Sequence, residues 1–473
     1  MKKKVIALLM TAGLMGTMLA GCGNTSGDGR ESKSDAVSTA QSNSSEKEET
    51  KEESKEKEPV EKTVVNIWSV TFDQENEISA FMDAWSQTEG SKTIDVTFEE
   101  IPAGTNAERA DALLTNLIGD GDIDIFDANI AEYFNFAAKG MFENLEPYAA
   151  ADGYDFDQMG ANNVELSRVN GNLYAFPYVQ SVWLLYYNKD LFDAAGLPYP
   201  TDDMTWDEFR ETAKALTKGE GADKQWGFTM PDWTCTWSGM ATQTGIPFVN
   251  EDNTANLDNP AFREALQFKY DLTMVDKSGP SLAENKATQA SYGKQFCAGN
   301  VGMMIAGDWV HGTIRQNLNG EFTFNYDVAA IPHPEGVEAG TTYGAPRYSG
   351  INSKRNDTQK QAAWEVLKFM ASPEIAKILV QEAATLPAVV TDEVQEAYVA
   401  TLPDFVENGA VIFKQHTHVE EKPYHIASSQ IEQVMKEEAQ MFLTDSQDLD
   451  TTMDNMIRRA NEEIQIVLDS LED

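Results

Sequence analysis

Short apolar strands alternate with amphipathic helices from residue 64 onward, and that alternation predicts an α/β fold with a largely parallel sheet. Val64-Val65-Asn66-Ile67-Trp68 is a compact apolar run. Ile78, Phe81, Met82 and Trp85 then fall at i, i+3, i+4 and i+7 of a helix, and Ile94, Val96 and Phe98 alternate along a second strand. With 473 residues and 41% hydrophobic content, the chain has room for at least two domains.

The pattern continues in order. Ala110, Leu113, Leu114, Leu117 and Ile118 share one helix face, and Ile123-Asp124-Ile125-Phe126-Asp127 reads as a buried strand ending in a carboxylate. The next helix stops at Lys139-Gly140, a glycine suited to the position after a helix end. Asn170-Gly171 is a hairpin-turn signal, and the run from Val182 to Tyr187 is read as an extended crossing between domains. Asn188 opens a short helix that Gly196 and Pro198 stop. Thr205 and Glu208 are spaced as a capping box, with Met204 and Phe209 placed as its hydrophobic staple, and Asn259-Pro260 opens a further helix as cap and first residue. A buried strand over residues 301–305 runs into a Gly307-Asp308-Trp309 corner, expected to aim the indole away from the sheet at a helix start. Ser372-Pro373-Glu374 caps a helix in the largely helical final third. The last helix carries Leu449, Met453, Met456, Ala460, Ile464, Val467 and Leu471 on one apolar stripe, a pattern of core packing.

The first residues follow a different logic. Lys2, Lys3 and Lys4 precede an uncharged run over residues 5–20, and Leu19-Ala20-Gly21 stand directly before Cys22. This is the pattern of a signal peptide (1–21) with a lipoprotein cleavage site, which makes Cys22 the lipidated first residue of the mature chain. Residues 22–62 hold almost no apolar side chains and are expected to be a disordered spacer. The three lysines, and the spacer's 11 acids against 7 bases from residue 28, nearly cancel. Almost all of the formal charge of −41 therefore falls beyond residue 62. A field of that sign repels nucleic acid and anionic lipid headgroups, so neither is expected as a partner and membrane attachment is through the lipid alone. Of three cysteines, Cys235 and Cys297 remain. They could pair outside the cytosol, but nothing in their spacing brings them together and two separate thiols is the simpler reading.

The order of these landmarks resembles the family 1 extracellular solute-binding proteins, which include the maltodextrin-binding proteins of bacterial ABC importers. The resemblance is carried by Ile123-Asp124-Ile125 with Lys139-Gly140, the run from Asn170 to Pro177, and Tyr187-Asn188-Lys189-Asp190-Leu191-Phe192. Thr205-Trp206-Asp207-Glu208-Phe209, the run from Met303 to Trp309, and Phe369-Met370-Ala371-Ser372-Pro373-Glu374 complete it. It implies a two-lobed periplasmic-binding-protein-like fold (type II), with a ligand cleft between lobes joined by a multi-crossing hinge. On that basis one lobe is expected at 63–177 plus 331–379 and the other at 182–325 plus 384–473, with crossings near 178–181, 326–330 and 380–383. It also implies a monomeric, lipid-anchored receptor on the extracytoplasmic face of the cell membrane. Such a receptor captures a carbohydrate, expected to be an oligosaccharide, and delivers it to the transmembrane subunits of an ABC permease.

No P-loop, Gly-x-Ser-x-Gly, His-Glu-x-x-His or paired Cys-x-x-Cys occurs, so the sequence offers no catalytic residue and no cofactor site. His416 and His418, with His425 nearby, form a metal-like cluster, read as ordinary loop histidines; no metal site is assigned. A sugar presents an apolar ring face and a rim of hydroxyls, so its site calls for flat aromatics beside carboxylates or amides. By the resemblance, Trp309 and Trp233 are the stacking candidates, with Trp237 after them, and Asp127 and Asn129 are the polar pair. Tyr343 and Arg347 are placed in the cleft by position. Trp68, Trp85, Trp206 and Trp364 fall inside strand or helix patterns and read as core. Two other readings stay open: a peptide, polyamine or metal receptor of the same fold, and a lipid-anchored polysaccharide-active enzyme.

Overall fold

The computed structural model describes residues 61–473 except 73, 101–105, 120, 290, 318–322, 383–384, 415–416 and 473. The expected signal segment, Cys22, nearly all of the expected spacer and His416 lie outside the described residues.

Eleven strands are described, in chain order β1 (Thr63–Trp68), β2 (Ile94–Phe98), β3 (Ile125–Ala128), β4 (Phe176–Val179), β5 (Trp183–Asn188), β6 (Trp226–Thr229), β7 (Val301–Gly307), β8 (Tyr326–Ala330), β9 (Thr341–Gly344), β10 (Arg347–Ile351) and β11 (Thr417–Glu420). They form a five-stranded sheet in the order β2-β1-β3-β10-β4, a four-stranded sheet in the order β6-β7-β5-β8, and a parallel pair of β9 with β11. In the first sheet β1 pairs parallel with β2 and β3, whereas β10 runs antiparallel to β3 and β4. In the second, β5 runs antiparallel to β7 and β8. Each sheet is thus parallel but for one reversed strand, and the two reversed strands are those the chain reaches by crossing directly from the other sheet's surroundings. A straight crossing of a few residues leaves no room for the helix that a parallel return requires.

Both sheets are buried on two faces, which explains their continuous apolar runs. In β5, Trp183 and Leu185 enter one core while Leu184 and Tyr186 enter another, and β7 divides Met303 and Ile305 from Met304 and Ala306 in the same way. In the first sheet Val65, Ile67 and Ile125 pack with Phe81, Trp85 and Trp364, and Phe126 and Tyr348 pack on the opposite face with Tyr133. A third core joins the helices Cys235–Thr242 and Pro260–Tyr270 to Ser428–Phe442 and Leu449–Glu472; Met453, Met456, Ala460 and Ile464 are buried there while Leu471 is exposed.

The local signals appear where expected. Thr205 and Glu208 form a reciprocal capping box, with Met204 and Phe209 in one core beside it. Asn170 and Gly171 turn with positive φ, and Gly196 caps its helix in the left-handed conformation. The stretch Tyr326–Ala330, where the resemblance puts a crossing, is a strand, as its apolar run closed by Pro332 suits, and pairs along its length with β5. The following Ile331 and Tyr343 still pack with Trp183 and Phe209, and the chain joins the first sheet at Arg347. Cys235 and Cys297 are both free thiols.

Three crossings meet at one place. Residues 179–182 lead from β4 into β5; Val179 bridges Pro387, and the Gln180 amide donates to the Leu386 carbonyl at 2.8 Å. The third strand of chain, between β9 and β10, lies against Ser181, whose hydroxyl accepts from the Ala345 amide at 3.1 Å. A Cβ on Gly344 would stand 1.8 Å from the Ser181 carbonyl oxygen, so only glycine lets these two crossings touch. Asp308 ties two of them together: Oδ1 accepts from the Val182 amide and Oδ2 from the Leu386 amide, each at 3.1 Å. Its carboxyl is 1% exposed, and burial pushes its pKa up to about 7 against the pull of those two amides.

Two consequences are measurable. Trp364 is fully buried and donates its indole N–H to Asp152 at 2.7 Å, so Trp364→Ala should lower unfolding free energy by ~3–5 kcal/mol in denaturant titration. A loss near zero would mean the helix Asp357–Met370 does not pack as described. For Asp308 the folded pKa is raised from 3.8, so the folded state holds the proton more tightly and the stabilising contribution is lost as pH rises from about 4 through 7. The stability of the wild type minus that of Asp308→Asn should therefore decline across that window; a flat difference would show that the carboxyl titrates normally.

Candidate functional site

The ends of β1, β3 and β10 build one polar face. Asp127, near the end of β3 and 3% exposed, accepts on Oδ2 from Ser69 Oγ at 2.7 Å, the Tyr178 hydroxyl at 3.0 Å and the Val70 amide at 3.1 Å. Its Oδ1 is buried with no partner at hydrogen-bonding distance among the described residues. Burial raises the pKa of this carboxyl, while Ser69 and Arg347 oppose the rise. Asn129 caps the helix Ile130–Ala138, its side chain accepting from the Glu132 amide while Glu132 accepts from the Asn129 amide. Arg347, at the start of β10, donates to Thr71 Oγ1 at 2.8 Å. Asp127, Asn129, Glu132, Arg347, Arg109 and Trp68 line a hollow of about 150 Å³.

The second sheet supplies an aromatic face. Trp183 opens β5 fully buried and donates its indole N–H to Glu421 at 2.9 Å. Trp309 stands edge-on to it, with ring centroids 5.6 Å apart and planes at 89°, and donates its own N–H to the Tyr292 hydroxyl at 3.0 Å. Trp233 lies 5.9 Å from Trp309 at 30° and meets Trp183 edge-on; 46% of its surface is exposed. Trp309 does not point away from the sheet as expected. Its ring folds back over Gly307, where a Cβ would stand 1.9 Å from the indole, so glycine at the strand end makes room for it. Below the indoles, Lys422 pairs with Glu432 at 3.1 Å, and burial raises the carboxyl of Glu421.

The two faces lie in electrostatic reach of each other. Burial raises the Glu132 carboxyl, and Lys422 from the C-terminal region and Arg347 from β10 both draw it back down. Beside them Phe134 packs on Tyr424 at 5.7 Å and Asn135 donates to the Ile426 carbonyl at 3.4 Å.

Of the residues expected here, Asp127, Asn129 and Arg347 share one hollow, and Trp233 and Trp309 share one aromatic face. Trp237 does not join the exposed face: one turn inside its helix and 2% exposed, it packs with Phe248, Phe262 and Leu266. Tyr343 is fully buried in β9, its ring against Gly239 and Trp183. Both are core residues because the strand or helix period turns them inward. Trp68, Trp85, Trp206 and Trp364 are all buried, although Trp68 also reaches the polar hollow. Trp183, Tyr292, Glu132 and the Glu421-Lys422 pair were not singled out in the sequence. Trp183 carried a usable signal as the first aromatic after a crossing; Glu421 and Lys422 carried none. Among the described residues no group of three or more His, Cys, Asp or Glu side chains is placed to hold a metal ion.

Comparison with known proteins agrees with this architecture. Residues 73–377 match the family model of the bacterial extracellular solute-binding proteins. A sn-glycerol-3-phosphate-binding periplasmic protein of Brucella abortus is 26% identical over 361 residues, covering 72% of this chain and 78% of the relative. A sugar transporter of Rhizobium etli, solved in an open conformation, superposes with a TM-score of 0.72 at 26% identity, over 85% of this chain and 99% of that one. An ABC substrate-binding protein of Listeria monocytogenes in complex with cycloalternan shares the fold, with a TM-score of 0.71 at 22% identity over 86% of this chain and all of its own. The two-sheet architecture, the meeting crossings and a family match over most of the folded chain lead to one assignment: this chain belongs to the bacterial extracellular solute-binding proteins, the non-enzymatic, extracytoplasmic binding components of ABC transporters.

Proposed function

We propose that this protein is a lipid-anchored receptor that captures an extracellular carbohydrate, an oligosaccharide, in the cleft between its two sheets and delivers it to an ABC permease. One observation carries the ligand class: Trp233, half-exposed beside Trp309 and above Trp183, offers a flat apolar platform bordered by hydrogen-bonding groups. Exposing so large an indole costs solvation free energy that a stacked ring recovers, and the pyranose C–H face is such a ring. The buried Asp127 carboxylate, with one oxygen unused, is the corresponding acceptor for a sugar hydroxyl on the other face. The ligands that these relatives are named for, a sugar, cycloalternan and glycerol 3-phosphate, are all polyhydroxylated. Attachment through Cys22 rests on its basic, apolar and small-residue context alone.

Ligand at 100 times its dissociation constant adds about 2.7 kcal/mol to stability, so a thermal-shift panel of oligosaccharides on the chain from residue 63 should reveal the class. Against a sugar found in this way, Trp233→Ala and Trp309→Ala should each weaken binding by roughly 1.5–3 kcal/mol, the scale for uncovering a large apolar side chain. Trp233→Ala should leave the unfolding midpoint nearly unchanged, since its ring is already half in water. Wild-type affinity in both variants would remove the stacking role. For the anchor, Cys22→Ser should abolish lipid labelling in cells, and retained labelling would refute it.

A further inference from the structure

Acids far outnumber bases in a chain of formal charge −41, yet three lysines gather around the exposed indole of Trp233. A small cavity of about 30 Å³ is bounded there by Trp233, Asp232, Thr236, Trp237, Lys269 and Lys436. It shares Asp232 and Trp233 with a neighbouring hollow that reaches Lys286 and Tyr292, so it opens beside the aromatic face.

Lys269, on the helix Pro260–Tyr270, is the unusual group. It is 6% exposed, and its ammonium has one hydrogen bond, to Thr236 Oγ1 at the long distance of 3.5 Å. Arg210, Arg355 and Lys422 are also part-buried, and each has a carboxylate partner: Arg210 has Asp276 and Asp271, Arg355 has Asp124, and Lys422 has Glu432. Lys269 forms no such pair among the described residues; Asp232, an acid whose charge acts on it, is exposed at the rim and accepts from Asn285 at 3.0 Å. Burial lowers the pKa of Lys269 to about 8, so the group remains mostly charged at neutral pH. An ammonium carries three donors, and a buried charge without a counter-ion is costly.

We propose that this cavity is a subsite for an anionic substituent, a carboxylate or phosphate, on the bound saccharide, with Lys269 as its counter-ion and Trp233 beneath the ring that bears it. The inference rests on the carbohydrate reading and narrows it to acidic sugars. It also accounts for the placement of Lys436 and Lys286 around the same opening, where they offset the repulsion that the rest of this acidic protein exerts on an arriving anion.

The test is calorimetric titration of the chain from residue 63 with three probes: a neutral oligosaccharide, the same oligosaccharide carrying a uronic acid, and a sugar phosphate. Wild type should prefer one acidic probe over the neutral one by roughly tenfold or more, and which acid wins identifies the group. Lys269→Met should bring the preference to parity. In the wild type, raising the pH from about 7 to above 9 should erode the preference as the ammonium loses its proton. Asp232 and Lys436 are exposed, and burial keeps the neighbouring Cys235 thiol protonated. This measurement stands even if the variant fails to fold. Equal affinity for neutral and acidic probes, or a preference that survives Lys269→Met or high pH, would overturn the subsite and leave the carbohydrate reading intact. Failure of all three probes, with a ligand of another class stabilising the protein, would overturn both.

Discussion

The carboxylate of Asp308 accepts hydrogen bonds from Val182 and Leu386, residues on two separate passages of the chain between the sheets. Its own amide donates to the Val182 carbonyl at 3.0 Å, so the corner after β7 is tied to the start of β5 in both directions. A hydrogen bond to an ionised acceptor contributes ~1.5–3 kcal/mol, but removing such a carboxylate from water costs several kcal/mol, which its raised pKa reflects. The net contribution to stability is therefore modest. What the arrangement secures is position: the crossings are held against each other whichever way the two sheets lie. Hinged binding proteins depend on a few such terminal residues to absorb changes in backbone angle while the packed elements move as units.

The aromatic face follows from the same corner. Gly307, Asp308 and Trp309 are consecutive, and each supplies something the others need: room for the folded-back indole, the tie between crossings, and the indole that supports Trp233. Trp183 begins its strand immediately after the tied residue Val182 and closes the base of the stack. The aromatic face is thus attached to the crossings without an intervening loop. Across from it, Asp127 and Arg347 stand at the adjacent ends of β3 and β10, where the open edge of an α/β sheet exposes its polar ends. The charge of the whole molecule is excluded from these few positions, where acids are partnered by Arg347, Lys422 or backbone amides.

Much of this was legible in the sequence because local rules govern it. Capping boxes, the Asn170-Gly171 turn and the two-residue alternation of β5 and β7 are decided by neighbours a few residues apart. The direction of β10 and β5 was not, because a reversed strand looks the same as a parallel one when both faces are buried. In the site, Trp233 and Trp237 differ by one turn of chain, and only the packing of the helices Pro260–Tyr270 and Ser428–Phe442 decides that the second is core. Tyr343 had the same ambiguity. Glu421 reaches Trp183 across 238 residues of sequence, and no pattern near either residue announces the contact.

The most direct test of this account is amide hydrogen exchange at Val182 and Leu386. If Asp308 clasps both crossings, the two amides should exchange slowly, by opening at free energies close to global unfolding, and both should become fast in Asp308→Ala while the amides within β7 stay protected. Exchange at the rate of exposed loop amides in the wild-type protein, or protection that Asp308→Ala leaves untouched, would contradict it.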